Sequence, residues 1–236
     1  MGKLGIYLVA DYPSREVFLG AVQACQDFGV DFLEVGFAFS DPVADGEVIE
    51  KAANEVLRVG GVDSFVEALR QARALFFGKT YVMTYSNIAY SLGMGAFAKR
   101  LGPVAGLILA DLPLREIPAF RKGFDGFPVN LIRFLTPESR KPDVERAVKG
   151  ARGFIYFVSK RGTTGGAFDL DPETREKIAA VRGKGVDVYI GFGIQEREDL
   201  EAAYEAAAGA IIGTRAVQEL GRGIDNFRKY LESLTM

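Results

Sequence analysis

The sequence Phe-Leu-Glu-Val-Gly-Phe-Ala-Phe-Ser-Asp-Pro-Val-Ala-Asp-Gly, residues 32 to 46, places one carboxylate in an apolar strand and a second in the loop that follows. Side chains alternate along a strand, so Glu34 shares a face with Phe32 and Gly36. Burying a carboxylate in a sheet without a partner is costly, and desolvation raises its pKa until it holds a proton near neutrality. A carboxyl group in that state is suited to general acid catalysis.

Asp45 has a different predicted setting. The segments 40–42, Ser-Asp-Pro, and 45–46, Asp-Gly, have the composition of turns, so this carboxylate is expected on a loop and ionised. Two simpler roles remain open at this stage. Glu34 could be a core carboxylate paired with a cation, and Asp45 could be the N-cap of a helix over residues 47–57.

Composition limits the chemistry and the partners. The chain contains no histidine, so acid–base work must fall to Asp, Glu, Tyr or Lys. The single Cys25 excludes an internal disulfide framework and a cysteine-based zinc site. A net charge of -2 with scattered basic residues gives no footprint for nucleic acid or anionic membrane. With no signal peptide pattern and no apolar run near the ~20 residues of a membrane span, a cytoplasmic protein acting on a small molecule is expected.

Strand-like and helix-like patterns alternate along the whole chain. The 236 residues contain eight strand–helix units, which predicts one α/β domain over residues 1–236, a (β/α)8 TIM barrel with the helices outside. An open doubly wound sheet is the alternative, although no Gly-x-Gly-x-x-Gly follows the first strand. The predicted strands are 4–9, 32–36, 80–84, 106–110, 129–134, 153–158, 186–190 and 210–212. The predicted helices are 14–28, 47–57, 62–75, 94–101, 116–122, 143–148, 172–181, 198–207, 214–220 and a last one from 224.

Three glycine-bearing corners follow the last three predicted strands. They are Gly162 to Gly166, Gly191 to Gly193, and Gly213 with Thr214, and a short extra helix is predicted directly after the third. Glycines let backbone N–H groups approach a ligand, and this end of a barrel is the recurrent place for a phosphate. The corners therefore predict a phosphate site. The sequence also shows a faint internal repeat, in which Val-Gly-Phe at 35–37 matches Ile-Gly-Phe at 190–192.

The motifs together resemble those of the tryptophan synthase α subunit family over nearly the whole chain. The matching segments are 33–36 followed by 39–46, 82–85 with Asn87, 110–113, 156–159 followed by 162–165, and 191–194. The resemblance implies a (β/α)8 lyase that cleaves indole-3-glycerol phosphate to indole and glyceraldehyde 3-phosphate. It further implies an αββα heterotetramer in which indole passes to a β subunit that activates this chain. Pyridoxal phosphate (PLP) is expected only on that β subunit, with no cofactor and no metal in this chain.

The resemblance also implies roles for individual residues. Glu34 takes the place of the acid–base glutamate, Asp45 that of the second catalytic carboxylate, and Tyr156 that of the tyrosine beside them. Residues matching the indole pocket are Tyr7, Val82, Ile108, Ala110, Phe134 and Thr164. Residues matching the phosphate site are Gly165, Gly193, Gly213 and Thr214. Asp41 and Pro42 match the loop that faces the β subunit.

The chain departs from the family pattern at places away from these groups. It starts at the first strand, without the usual extra N-terminal helix. Tyr12 stands where an Asp usually precedes the proline, and Arg133 stands inside the fifth strand. Glu50 replaces a common Gln, and Ile88 replaces a Pro. These departures bear on partner fit more than on chemistry.

Three other functions remain open on sequence grounds. A Schiff-base aldolase would use Lys160, at the mouth of the sixth strand. A metal-dependent lyase would use Glu34, Asp41 and Asp111 as oxygen ligands. A catalytically silent subunit would bind phosphate only to regulate a partner, although the presence of both catalytic carboxylates argues against it.

Overall fold

The computed structural model describes residues 2–124, 126–159, 168 and 170–235. Eight parallel strands in this part of the chain form one sheet in the order β4-β3-β2-β1-β8-β7-β6-β5. Their bounds are β1 Lys3–Val9, β2 Phe32–Gly36, β3 Lys79–Thr84, β4 Gly106–Leu109, β5 Arg133–Leu135, β6 Phe154–Val158, β7 Asp187–Gly191 and β8 Gly209–Ile212.

The sheet closes on itself between β4 and the residues before β5. The backbone N–H of Leu107 donates to the carbonyl of Asn130 at 2.7 Å, and the N–H of Ile132 donates to the carbonyl of Leu107 at 2.9 Å. The predicted (β/α)8 barrel is therefore confirmed, and the open doubly wound alternative is wrong. The fifth strand is shorter than predicted, because this contact replaces regular pairing over its first residues.

Helices connect the strands around the outside of the barrel. Their bounds in the described residues are α1 Arg15–Asp27, α2 Glu47–Leu57, α3 Val62–Leu75, α4 Ser86–Ser91, α5 Met94–Leu101, α6 Ile117–Lys122, α7 Lys141–Val148, α8 Pro172–Arg182, α9 Arg197–Ala206, α10 Thr214–Gly221 and α11 Ile224–Thr235. Ten of these follow the predicted patterns, including the short helix α10. The helix α4 was not predicted, because its six residues are too few to show an amphipathic repeat. No helix in the described ranges is long and apolar enough to cross a membrane.

The inside of the barrel is filled with aromatic rings near the start of the strands. The ring of Phe154 stacks on Tyr189 with centroids 4.4 Å apart, and Phe32 stacks on the same tyrosine at 5.0 Å. Tyr81 packs edge-on against Phe32 at 5.7 Å. These rings close the interior at the amino-terminal end of the strands. The space left for a ligand is therefore at the carboxyl-terminal end, as in other barrels of this type.

Arg133 points outward from the fifth strand and binds the end of a helix. Its guanidinium donates to the carbonyls of Ala147 at 2.6 Å, Lys149 at 2.7 Å and Gly150 at 3.1 Å. Carbonyls at a helix C-terminus lack intrahelical partners and attract a cation. The arginine in this strand is thus a cap for α7 and leaves the interior of the barrel unchanged.

Candidate active site

Glu34 is enclosed completely at the third position of β2. Its neighbours in the sheet register are Tyr7 of β1 and Tyr81 of β3. The residue has no solvent exposure, and neither carboxyl oxygen has a hydrogen-bond partner in the described part of the chain. Burial raises the pKa of Glu34 to about 8. The carboxyl group therefore holds its proton at neutral pH, and the alternative of a salt-bridged core carboxylate is wrong among the described residues.

Asp45 lies in the loop between β2 and α2 and is held by a tyrosine. The hydroxyl of Tyr85 donates to Asp45 Oδ2 at 3.0 Å and accepts the backbone N–H of Ala44 at 3.1 Å. Partial burial raises the pKa of Asp45, and the hydrogen bond from Tyr85 opposes that rise. The loop position agrees with the prediction, but the carboxylate is less exposed than a free loop residue. The N-cap of α2 is Gly46, without a side-chain bond, so the N-cap alternative for Asp45 is wrong.

A cavity of about 470 Å³ opens at the carboxyl-terminal end of the barrel. It brings the two carboxyl groups together with the third and second glycine corners, although these residues are far apart in the sequence. The lining residues are Tyr7, Glu34, Ala44, Asp45, Gly46, Glu47, Val48, Ile49, Met83, Tyr156, Ser159, Phe192, Gly193, Ile194, Gln195, Gly213, Thr214 and Gln218. The size suits a small aromatic molecule with a polar tail.

The phenol groups of Tyr7 and Tyr156 pack against Gly36 and Gly191, the last residues of the neighbouring strands. A Cβ added to Gly36 would lie 2.3 Å from the Tyr7 hydroxyl oxygen, and one added to Gly191 would lie 2.2 Å from that of Tyr156. The repeat of Val-Gly-Phe and Ile-Gly-Phe therefore has a structural meaning, since each glycine makes room for a phenol. Burial raises the pKa of both tyrosines far above its ordinary value, and the charge of Asp45 and that of Glu34 once it ionises add to the rise. Both phenols are neutral at physiological pH.

Four of the residues predicted to form the wall of the pocket do not line the cavity. Val82 is buried in the layer between the strands and the outer helices, because it pairs with Val35 on the outward face of the sheet. Met83, the next residue, faces inward and lines the cavity in its place. Ile108, Ala110 and Phe134 belong to the cluster inside the barrel but do not line the cavity themselves. The ring of Phe134 supports Tyr156 at a centroid distance of 5.1 Å.

The residues predicted to bind phosphate lie, within the described part of the chain, on two corners and at the start of a helix. Gly193, Gly213 and Thr214 all line the cavity. The helix α10 begins at Thr214, with Gly213 as N-cap, so its first N–H groups point out of the helix towards the cavity. Of the predicted residues, Thr164 and Gly165 lie outside the described residues, and so does Lys160.

Several cavity residues were not predicted from the sequence. Phe192 has φ of +74°, a left-handed conformation that costs energy for a bulky side chain. The hydroxyl of Ser159 donates to its carbonyl at 2.7 Å and helps to hold this conformation. In the sequence this corner is marked by a phenylalanine between two glycines. In the structure the same phenylalanine is strained, and strained residues cluster at functional sites. Tyr85 belongs to the motif at 82–85, and the sequence does not predict its contact with Asp45.

The predicted alternative of a three-carboxylate metal site has no geometric support. The carboxylate of Asp111 is hydrogen-bonded to Ser86, whose backbone N–H and hydroxyl donate to it at 2.7 and 2.8 Å. Asp41 is exposed on the loop surface, where the hydroxyl of Ser40 donates to it. In the described ranges no three acidic, cysteine or histidine residues are close enough to hold a metal ion.

Comparisons with known proteins agree in sequence and in structure. Residues 2–236 match the family model described as tryptophan synthase alpha chain. The tryptophan synthase alpha chain of Methanopyrus kandleri is 32% identical over 229 residues, which cover 95% of this chain and 82% of that protein. The structure of tryptophan synthase subunit alpha from Campylobacter jejuni superposes with a TM-score of 0.86 at 30% identity, over 99% of this chain and 95% of that chain. An aminoacrylate-bound tryptophan synthase from M. tuberculosis gives a TM-score of 0.86 at 27% identity, over 99% and 92%.

Proposed function

This chain belongs to the tryptophan synthase alpha chain family and is a lyase, and from that premise we propose that Glu34 and Asp45 carry the cleavage of indole-3-glycerol phosphate. The observation that supports these roles best is the state of the two carboxyl groups. One is fully buried, unpartnered among the described residues and protonated, while the other is half-buried and hydrogen-bonded. Two carboxyl groups in such different environments can take different roles in one reaction, one as the group that transfers the proton and the other as a charge that stabilises the intermediate.

The cavity orients the substrate by its two ends. The phosphate binds at Gly193, Gly213 and Thr214, where the N-terminus of α10 supplies N–H donors and a favourable dipole. The indole ring then lies beside Tyr156 and Phe192, near both carboxyl groups. The glycerol carbons between the two ends are held against Glu34.

Retro-aldol cleavage follows from this placement. Protonated Glu34 gives its proton to indole C3, and the ring becomes an indoleninium cation. Asp45, as a carboxylate, accepts the hydrogen bond of the cationic ring N–H and stabilises that charge. Glu34, now ionised, takes the proton of the hydroxyl on the carbon next to the ring. The carbon–carbon bond breaks, its electron pair neutralises the ring, and indole and glyceraldehyde 3-phosphate are left.

Tyr156 contributes to the same site as a neutral phenol. Its ring packs against Phe134 and lies edge-on to Phe192 at a centroid distance of 6.3 Å, so it forms one wall for a flat aromatic ligand. Tyr7 forms the corresponding wall beside Gly36. Neither tyrosine has the pKa of a proton shuttle near neutrality, because burial raises both. Their role is to position the indole ring and to exclude water.

A β subunit is the proposed partner, and it would carry the PLP while this chain carries no cofactor. The loop that holds Asp45 inside the cavity turns its other side outward. Asp41 is exposed there, and the side chain of Val43 is 80% exposed. An exposed apolar side chain beside an acidic one at the mouth of a cavity suits a protein interface. Indole leaving through this mouth would pass directly to the partner.

The test is indole release from indole-3-glycerol phosphate, measured on the full chain alone and with a β subunit of the family. The expected result is release by the chain alone, with a higher rate when the β subunit is added. Asp45→Asn should lower kcat, because an amide stabilises the ring cation poorly. A chain that binds inorganic phosphate yet releases no indole under either condition would support the silent regulatory subunit instead.

A further inference from the structure

We propose that Tyr85 is a positioning residue for the lyase reaction, whose hydroxyl fixes the carboxylate of Asp45 and the loop around it. The inference rests on the proposed role of Asp45. Tyr85 does not line the cavity, so it reaches the substrate only through that carboxylate. It follows β3, whereas Asp45 follows β2, so the contact joins the ends of two neighbouring strands.

The two hydrogen bonds of the phenol have fixed directions. A carboxylate only accepts and a backbone N–H only donates, so the single hydroxyl proton of Tyr85 must point to Asp45. The chain of bonds runs from the Ala44 N–H at 3.1 Å to the phenol oxygen, and from the phenol to Asp45 Oδ2 at 3.0 Å. One hydroxyl therefore sets both the backbone of the loop and the orientation of its carboxylate. Burial raises the pKa of Tyr85 to about 12, so the donor proton is present throughout the working range.

Tyr85 can act as an anchor because its own position is fixed by the barrel. The side chain is buried with 4% exposure, and its ring packs against Phe39 at a centroid distance of 5.2 Å. The next residue, Ser86, is bound through its N–H and hydroxyl to the carboxylate of Asp111 after β4. The unpredicted helix α4 starts at this point. The loop before α2 has no regular secondary structure over residues 37–46, so the phenol ties an irregular segment to a rigid one.

The reaction needs this restraint at one particular step. The ring N–H becomes acidic and cationic only after protonation of indole C3, and Asp45 stabilises it only if its oxygen is already in place. Donation from Tyr85 also keeps the carboxylate in its charged form, because it opposes the rise in the pKa of Asp45. Without the phenol, Asp45 is both less well placed and easier to protonate. The phosphate site is built from other loops and does not depend on this bond.

The experiment compares Tyr85→Phe with the matched control Tyr90→Phe in the full chain. Tyr90 lies on the short helix α4, which begins directly after Tyr85, and its side chain is 72% exposed. For Tyr85→Phe we expect kcat to fall roughly 10- to 100-fold, the size of loss that follows from misplacing a catalytic group by about 1 Å. We expect KM and the competition by inorganic phosphate to stay within about a factor of two of the wild type. The acidic limb of the pH profile of kcat should move to higher pH, and Tyr90→Phe should leave every one of these quantities as in the wild type.

A double variant separates positioning from a general structural role. If Tyr85 acts through Asp45, Tyr85→Phe added to Asp45→Asn should cost little beyond the single Asp45→Asn change. Additive losses, an unmoved acidic limb or an unchanged kcat would each overturn the inference while leaving the proposed function intact. Absence of indole release by the wild-type chain, alone and with a β subunit, would instead remove the proposed function on which the inference rests.

Discussion

The protonation state of Glu34 is set by its complete burial in the fold. The sheet register places it between two tyrosines, and the filled barrel interior beneath it leaves the side chain without solvent exposure. Its neutral form is therefore favoured up to about pH 8. Burial raises the pKa of Glu34, so the carboxyl group still holds its proton at neutral pH for the proposed transfer to indole C3. The same rise in pKa makes its conjugate base strong enough to accept the proton of the substrate hydroxyl in the next step.

Glu34→Gln should abolish cleavage and also change how stability depends on pH. The amide keeps the volume but has no proton to give, so kcat should fall by at least about 100-fold, the lower part of the range for acid–base groups. In the wild type, kcat/KM should decline above about pH 8 as Glu34 ionises. The measurement is indole release across pH, with binding of a phosphate ligand as the check that the variant is folded.

The stability of the Glu34→Gln variant tests the pKa directly. The unfolded glutamate ionises near pH 4.5, whereas the folded one stays protonated to about pH 8. Between these values ionisation of Glu34 stabilises the unfolded wild type, so its free energy of unfolding falls relative to the variant as pH rises, by about 1.4 kcal/mol for each pH unit. Denaturant unfolding near pH 5 and near pH 8 should show this trend. Equal pH dependence of the two proteins would mean that Glu34 is not protonated in the folded state.

At the scale of elements, strand register decided which residues reach the cavity. The sequence predicted β3 within one residue, yet it did not show which of two adjacent apolar residues points inward. Val82 and Met83 are both apolar, and in a sheet covered on both faces alternation carries no polar signal. Ile108, which was predicted to line the indole pocket, does face the inside of the barrel, but it lies outside the lining of the cavity.

Gly213→Ala tests the phosphate site without straining the chain. Its φ is -113°, and an added Cβ would approach other atoms no closer than 3.7 Å, so the fold accommodates alanine. The methyl group would nevertheless stand at the N-terminus of α10, where the phosphate is proposed to bind. We expect KM for the phosphorylated substrate and the inhibition constant of inorganic phosphate to rise together, with kcat and the melting temperature little changed.

Gly61→Ala is the control for this prediction. It also precedes a helix, has open space around an added Cβ and lies away from the cavity. Substitution of Gly193 is less informative, because its φ of +84° makes any side chain costly for the backbone itself. Unchanged inhibition by phosphate in Gly213→Ala would exclude this corner from the phosphate site.

At the scale of the whole molecule, the sequence predicted what local patterns encode. The repeated alternation of strands and helices predicted the barrel, and the turn and glycine segments predicted which end carries the site. It could not predict contacts between distant loops. The bond from Tyr85 to Asp45 spans 40 residues, and the room above Gly36 and Gly191 appears only when neighbouring strands pair. Such contacts depend on closure of the barrel, so no window of sequence contains them.

The loop over residues 37–46 joins the two proposed roles of the molecule, and Asp41→Ala tests whether they are coupled. Asp45 faces the cavity and is tied to Tyr85, while Asp41 is exposed and bound only to the adjacent Ser40 in the described residues. A β subunit that contacts Asp41 can therefore bias the placement of Asp45 and speed the reaction. Couplings of this kind are typically about 1–3 kcal/mol, which is roughly 5- to 150-fold in affinity. Because coupling is reciprocal, a bound substrate analogue must tighten the complex by the same factor by which the β subunit raises the affinity for the analogue.

Asp41→Ala should shrink the activation by the β subunit and leave the rate of the isolated chain nearly unchanged, as measured by indole release with and without the partner. Equal loss of both rates would place Asp41 in the catalytic set, because only a group acting on the chemistry itself lowers the rate when no partner is present.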